Sequence, residues 1–139
     1  MASLEKMMFF IPNRLFVEGH HLYVSFNIAV IPDDMQVTTM ILHVPLPAGT
    51  KGGKLSVHEI RQGWDERLMG DGYRPKTTAA IKRVRLKGKE GEARVDLSNL
   101  AEKWRRDHLD NHGVYLRLHA SGPAAFTREQ PPYVIIASL

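Results

Sequence analysis

The sequence predicts an all-β fold: an antiparallel β-sandwich of jelly-roll type, with one short helix over about 98–110 covering its core and a short helix at the N-terminus. Three observations carry that prediction. Apolar and polar residues alternate with a period of two in run after run, the mark of strands with one buried face. Glycine, proline and aspartate clusters separate the runs. Only one stretch, from Leu97 to His108, spaces its apolar residues as a helix does. With 139 residues, 43% of them hydrophobic, the chain makes one domain over 1–139 with a core of its own.

The opening "LEKMMFFIPN" is apolar and reads as a helical lead-in over 1–12. In "HHLYVSFNIAV", Leu22, Val24, Phe26 and Ile28 take one strand face and His21, Tyr23, Ser25 and Asn27 the other, until Pro32-Asp33-Asp34 ends the run. "QVTTMILHVPL" repeats the device with Met40, Leu42, Val44 and Leu46, and closes on Pro45 and Pro47, which have no N–H to give a ladder. "KLSVHEI" turns Leu55 and Val57 inward. "AAIKRVRLKGK" and "EARVDL", joined through Gly88 and Gly91, read as a hairpin or a pair of strands. "GVYLRLH" alternates Val114, Leu116 and Leu118. The unbroken run Tyr133, Val134, Ile135 and Ile136 suits a strand at the centre of a sheet or covered on both faces.

Within the helix, Leu97, Leu100, Ala101, Trp104 and His108 form one apolar stripe. Asp96 or Ser98 can cap its start, Glu102 can pair with Arg105 and Arg106, and Gly113 or Asn111 can take the left-handed turn that ends it. About three turns of helix are unstable alone. The stripe is therefore expected to lie across an opening of the sandwich, with Trp104 as a plug in the core.

The net charge is +4, from 19 Lys and Arg against 15 acidic residues. That balance suits an anionic partner without demanding one. In "IKRVRLKGK", Arg83, Arg85, Lys87 and Lys89 take alternate positions, so a strand would set four cations in a solvent-facing row about 6.6–7 Å apart. That row is a candidate polyanion site for sulfated glycosaminoglycan or extracellular matrix. Without interleaved aromatics or a reading motif it does not point to nucleic acid. Cysteine is absent, which excludes disulfides, thiol catalysis and cysteine-based zinc sites. No apolar window is long enough for membrane insertion.

Catalytic constellations are missing. His108 and His112 have a ligand-like spacing, but the helix is expected to end between them and no glutamate follows His108. His20 and His21, on a strand, would point to opposite faces. Ser25, His58 and Asp65 make a triad only by free choice, since no Gly-x-Ser-x-Gly turn is present. Asp33-Asp34 and Asp65-Glu66 fall in turn contexts. The expectation is a non-enzyme with no metal and no cofactor.

The blocks "YVSFNIAVIPDDMQVTTMILHV", "KLSVHEI", "ARVDLSNLAEKW", "NHGVYLRLH" and "QPPYVIIASL", in that order, resemble the arm domain of the propeptide of a transforming growth factor-β (TGF-β) family precursor, over residues 4–139. The matching segments are Val37-Thr38-Thr39-Met40-Ile41-Leu42, the aspartate-headed helix from Asp96 to Trp104, the turn Asn111-His112-Gly113, and Pro132 to Ile136. The resemblance implies a secreted, extracellular prodomain that binds the mature growth-factor dimer and assists its folding, secretion or latency. It also implies that Met7, Met8, Phe9 and Phe10 end a helix that lies against the growth factor. The chain departs from that family in having no Arg-x-x-Arg and no long first amphipathic helix, and residues 65–95 match least.

The same features also resemble secreted bacterial carbohydrate-binding modules with Asp-Asn-Arg-Leu-Arg-Glu-like signatures. These share the sandwich, the tryptophan-bearing helix, the Asn-x-Gly turn and the closing strand, and Gly63-Trp64-Asp65-Glu66 resembles their Trp-(Asp/Asn)-Glu segment. Such modules open on a glycine- and asparagine-rich stretch, where this chain has the apolar "MMFFIPNRLF". Carbohydrate binding is the alternative expectation.

Overall fold

The computed structural model describes residues 5–139. In chain order the elements are β1 (Lys6–Phe10), β2 (Arg14–Glu18), β3 (His21–Ser25), β4 (Val37–Pro45), β5 (Gly53–Ile60), α1 (Glu66–Gly70), β6 (Thr77–Leu86), β7 (Glu92–Asp96), α2 (Ser98–Arg106), β8 (Val114–His119) and β9 (Tyr133–Ser138). They form a four-stranded sheet, β1-β9-β4-β7, and a five-stranded sheet, β2-β3-β8-β5-β6. Every observed pairing is antiparallel. Apart from the β2–β3 and β5–β6 connections, successive strands change sheet, as in a jelly roll.

Alternation decides which residues meet between the sheets. Leu22 and Val24 lie opposite Leu116 and Val114, Leu55 and Val57 opposite Leu118 and Leu116, and Met40 and Leu42 opposite Ile136 and Val134. All of these are buried, and each contributes about 1.5–3 kcal/mol relative to an exposed side chain. The run Tyr133 to Ile136 is the interior strand β9, hydrogen-bonded on both edges.

One sequence expectation is corrected and one, left between two alternatives, is decided. The lead-in over 1–12 is not helical where it is described: Lys6–Phe10 is β1, with Met8 opposite Ile136 and Phe10 opposite Val134. Met8 and Phe10 alternate with Met7 and Phe9, so a strand buries one pair and gains a main-chain partner along β9. A helix of this length has no comparable support. Residues 1–4 of that lead-in lie outside the described residues. The stretch 79–97 is a pair of strands and not a hairpin, because β6 and β7 belong to different sheets.

The α2 helix closes the core against β4 and the 3-10 turn Ile28–Val30. Trp104 is fully buried in the main cluster, with Leu97, Leu100 and Ala101 beside it. The Asp96 carboxylate accepts from the Ser98 backbone N–H at 2.8 Å and from its hydroxyl at 2.5 Å, while Ser98 Oγ accepts the Met40 N–H at 2.9 Å. The helix start is thereby pinned to β4. Glu102 pairs with Arg105 at 3.3 Å and Arg106 at 3.7 Å. The helix ends at Arg106, and a second 3-10 turn, His108–Asp110, leads toward β8. Gly113 takes the positive φ of +84°, where an added Cβ would sit 2.0 Å from the Val24 carbonyl oxygen. Asn111 bridges instead, donating to the Phe26 carbonyl at 2.7 Å and accepting the Gly113 N–H at 3.1 Å.

Candidate functional site

The outer face of the five-stranded sheet collects most of the chemistry-bearing side chains. Strand register arranges them in rows: Phe16, Tyr23, Tyr115 and His58; then Glu18, His21, Arg117, Ser56 and Arg83; then His119, Lys54 and Arg85. Directly opposed residues share a face, so β2, β3, β8, β5 and β6 each contribute.

Residues 61–76 cover one end of this face. Trp64, 4% exposed, and Met69 form a small second core with Tyr23 and Ile60, against which Phe16, Tyr73 and Tyr115 pack. Trp64 Nε1 donates to the His112 carbonyl at 2.8 Å, and the Arg14 guanidinium lies 5.0 Å over its ring. Arg14 also donates to Ser25 Oγ at 2.8 Å and to the Trp64 carbonyl at 2.7 Å. Asp65 caps α1 by accepting the Leu68 N–H at 2.8 Å, and Glu66 accepts the Leu15 N–H at 3.1 Å. The Gly63-Trp64-Asp65-Glu66 segment is therefore architectural: it anchors the cover to β2 and to the turn before β8.

Beyond the cover the face is open and cationic. Lys54, Arg83, Arg85 and Arg117 are exposed, and among the described residues none is in an ion pair. Nearby carboxylates are engaged elsewhere. Glu18 accepts from Arg74 at 3.0 and 3.1 Å, and Glu59 pairs with Lys103 at 2.6 Å. Lys54, Arg85 and His119, with Gly53 and Leu86, line a cavity of about 410 Å³.

A polar chain stiffens the floor. Thr78 carbonyl oxygen can only accept, so His58 Nδ1 donates to it at 3.0 Å and neutral His58 leaves Nε2 as an acceptor. Ser56, 3% exposed, then donates to His58 Nε2 at 2.9 Å and accepts from His119 Nε2 at 3.0 Å. His21 Nδ1 and the Tyr115 hydroxyl are hydrogen-bonded, and Tyr115 stacks on Tyr23 with ring centroids 4.7 Å apart. Burial, followed by the charge of Arg117, holds the pKa of both His21 and His119 below the ordinary histidine value. Burial, then the neighbouring Tyr23, pushes the Tyr115 hydroxyl up.

The predicted cationic row is divided. Arg83 and Arg85 stand on β6 opposite Ser56 and Lys54. Lys87 and Lys89 lie beyond the end of β6, in a turn whose backbone N–H groups donate to the Glu90 carboxylate at 2.8 to 3.1 Å. The row breaks there because the chain is crossing to the other sheet. Lys54, Arg117, His119 and Tyr115 were not singled out by sequence reasoning, and His21 and His58 entered it only as a non-chelating pair member and a triad candidate. The signal for them was the polar half of each alternation in "KLSVHEI" and "GVYLRLH", but periodicity does not say which strands are neighbours.

On the opposite sheet, Met7 and Phe9 are 64% and 62% exposed, whereas Met8 and Phe10 pack against the core. Phe9 stacks on Tyr133 at 5.0 Å, and Tyr133 stacks on His43 at 4.7 Å. The four residues thus do not form one surface.

Ser25, His58 and Asp65 do not assemble: Ser25 Oγ donates to Asn13 Oδ1 at 2.7 Å, and Asp65 caps α1. His20 sits in the turn before β3 rather than on the strand. The side chain of His108 lies outside what is described, and His112 falls beyond the following 3-10 turn, off the helix. Among the described residues no three His, Asp or Glu side chains are placed to hold a metal, and no helix is long and apolar enough to cross a membrane. Comparison with protein-family models gives no match, and comparison with curated proteins gives none either.

Proposed function

We propose that the chain is a non-enzymatic, secreted carbohydrate-binding module whose five-stranded sheet face holds an acidic, sulfated polysaccharide of the glycosaminoglycan kind. The observation that supports this reading is the set Lys54, Arg83, Arg85 and Arg117: four cations from three adjacent strands, on one exposed face, with no ion-pair partner among the described residues. Adjacent strands are about 4.8 Å apart, so the array is a field of like charge that a chain of sulfates or carboxylates would neutralise. Tyr23, Tyr115 and His58 spend their ring faces on one another, so they brace the floor and leave charge and hydrogen bonding to select the ligand. Heparin-affinity chromatography tests the reading. The Lys54→Ser/Arg83→Ser/Arg85→Ser/Arg117→Ser variant should elute at clearly lower salt than the parent, and Lys87→Ser/Lys89→Ser should move less. Elution of the quadruple variant at the parental salt would overturn it.

A second reading, the growth-factor prodomain, is favoured by one observation on the other sheet: Met7 and Phe9 are large apolar side chains held out to solvent on the edge strand β1. In that reading they contact the mature growth-factor dimer. Met7→Ser/Phe9→Ser should then abolish comigration with a TGF-β family dimer on size exclusion while leaving the fold intact. Unchanged comigration would remove the site.

A further inference from the structure

We propose that Lys54, Arg85 and His119 form a subsite for one sulfate ester group of the bound polysaccharide, and that His119 takes up a proton from solvent as the group enters. The inference rests on the polysaccharide reading above and adds to it a subsite for a single sulfate group and a pH dependence. The geometry comes first. The three side chains reach one cavity from three adjacent strands, β5, β6 and β8, and no carboxylate lines it. Gly53 lines the same cavity, and at φ +97° an added Cβ would sit 2.1 Å from the His119 carbonyl oxygen, so only glycine lets β5 approach β8 this closely there.

A guanidinium fork, an ammonium group and an imidazole around one cavity provide donors in several directions. A sulfate ester presents three terminal oxygens to such a set, whereas a carboxylate presents two in one plane. The hydrogen-bond chain fixes the tautomer of neutral His119. Thr78 orients His58, His58 accepts from Ser56, and Ser56 accepts from His119 Nε2–H. In neutral His119 the remaining nitrogen, Nδ1, is therefore an acceptor, and it has no partner among the described residues. Facing an anion, that lone pair is repulsive. Protonation converts it to a third donor and breaks none of the existing bonds.

The surroundings make the proton conditional on the ligand. The titratable groups around His119 are Lys54 and His58 on β5, Arg83 and Arg85 on β6, Arg117 on β8 itself, and His21 on β3, and every one is a cation or a potential cation. In the free protein they oppose a further positive charge, and an incoming sulfate cancels part of that opposition. Binding and protonation are then coupled in both directions.

The test uses the full chain with heparin, with heparin stripped of its sulfates but keeping its carboxylates, and with polyphosphate, by isothermal titration calorimetry at pH 5.5 to 8. Heparin should bind about three- to tenfold more tightly for each pH unit lowered through the titration of His119. At constant pH, heats in buffers of different ionisation enthalpy should show net proton uptake. His119→Gln should still bind heparin at pH 8 but lose most of the pH dependence and the proton uptake, and desulfated heparin should show neither. Heparin affinity independent of pH in the parent, or the same proton uptake in His119→Gln, would overturn the subsite while leaving the polysaccharide reading in place. Equal proton-linked binding of polyphosphate would overturn the assignment to sulfate esters. Failure of heparin to bind at any pH at low salt would overturn both.

Discussion

Replacing Trp104 by alanine tests whether α2 closes the core or merely decorates it. Trp104 is fully buried in the main cluster, and its Nε1 has no hydrogen-bond partner among the described residues. A buried tryptophan covers about 150–250 Å². At about 25 cal/mol per Å² its removal forfeits about 4–6 kcal/mol. Deleting the unpartnered indole N–H returns about 1–3 kcal/mol. The cavity left behind adds to the cost, so the net loss falls in the usual range of about 3–5 kcal/mol for such a truncation. That is a large share of a domain stability of about 5–15 kcal/mol. With a urea slope of about 2 kcal/mol per M, the midpoint should fall by about 2 M. Trp104→Phe should cost less than half as much, because it keeps most of the ring and removes the orphaned donor. A urea midpoint unchanged in the alanine variant would refute the plug.

Gly113→Ala places a methyl 2.0 Å from the Val24 carbonyl oxygen at a positive φ, so its cost by urea denaturation should exceed the common range of about 0.5–3 kcal/mol for point substitutions. His21 and His119, their pKa values depressed by burial and then by Arg117, bind protons more readily in the unfolded chain. Stability should therefore fall as pH drops from about 6.5 through their lower folded values. Asp96, held below the ordinary carboxylate range by its hydrogen bonds from Ser98, loses its contribution only in a lower window, below about pH 4. Thermal melts between pH 7.5 and 5 should show the histidine slope, and the double variant His21→Gln/His119→Gln should flatten it.

The strands of the core were legible because each buries one face: Leu22, Val24, Met40, Leu42, Leu55, Val57, Leu116 and Leu118 stand where alternation put them. The helix was legible because Leu97, Leu100, Ala101 and Trp104 share one face and Asp96 precedes them. The N-terminal strand was hidden because all four of Met7, Met8, Phe9 and Phe10 are apolar. Nothing local tells the buried pair from the exposed pair until β9 is beside them. The α1 helix was not anticipated either, since five residues are too few to show a helical period: its Asp65 cap is local but reads equally as a turn, and the packing of Met69 with Tyr23 and Trp64 is tertiary. Half of the cationic face was legible, as Arg83 and Arg85. Lys54 and Arg117 join it only through the pairing of β5 with β6 and β8, which is information about neighbours in space.

The most direct test of the cationic face as the ligand site is a map of amide chemical shifts on titration with a short heparin-derived oligosaccharide. The account predicts that the largest changes fall on β5, β6 and β8, around Lys54 to His58, Arg83 to Leu86 and Tyr115 to His119, and that β1 and β9 stay still. Changes confined to β1 and β9, or no changes with saturating oligosaccharide at low salt, would contradict it.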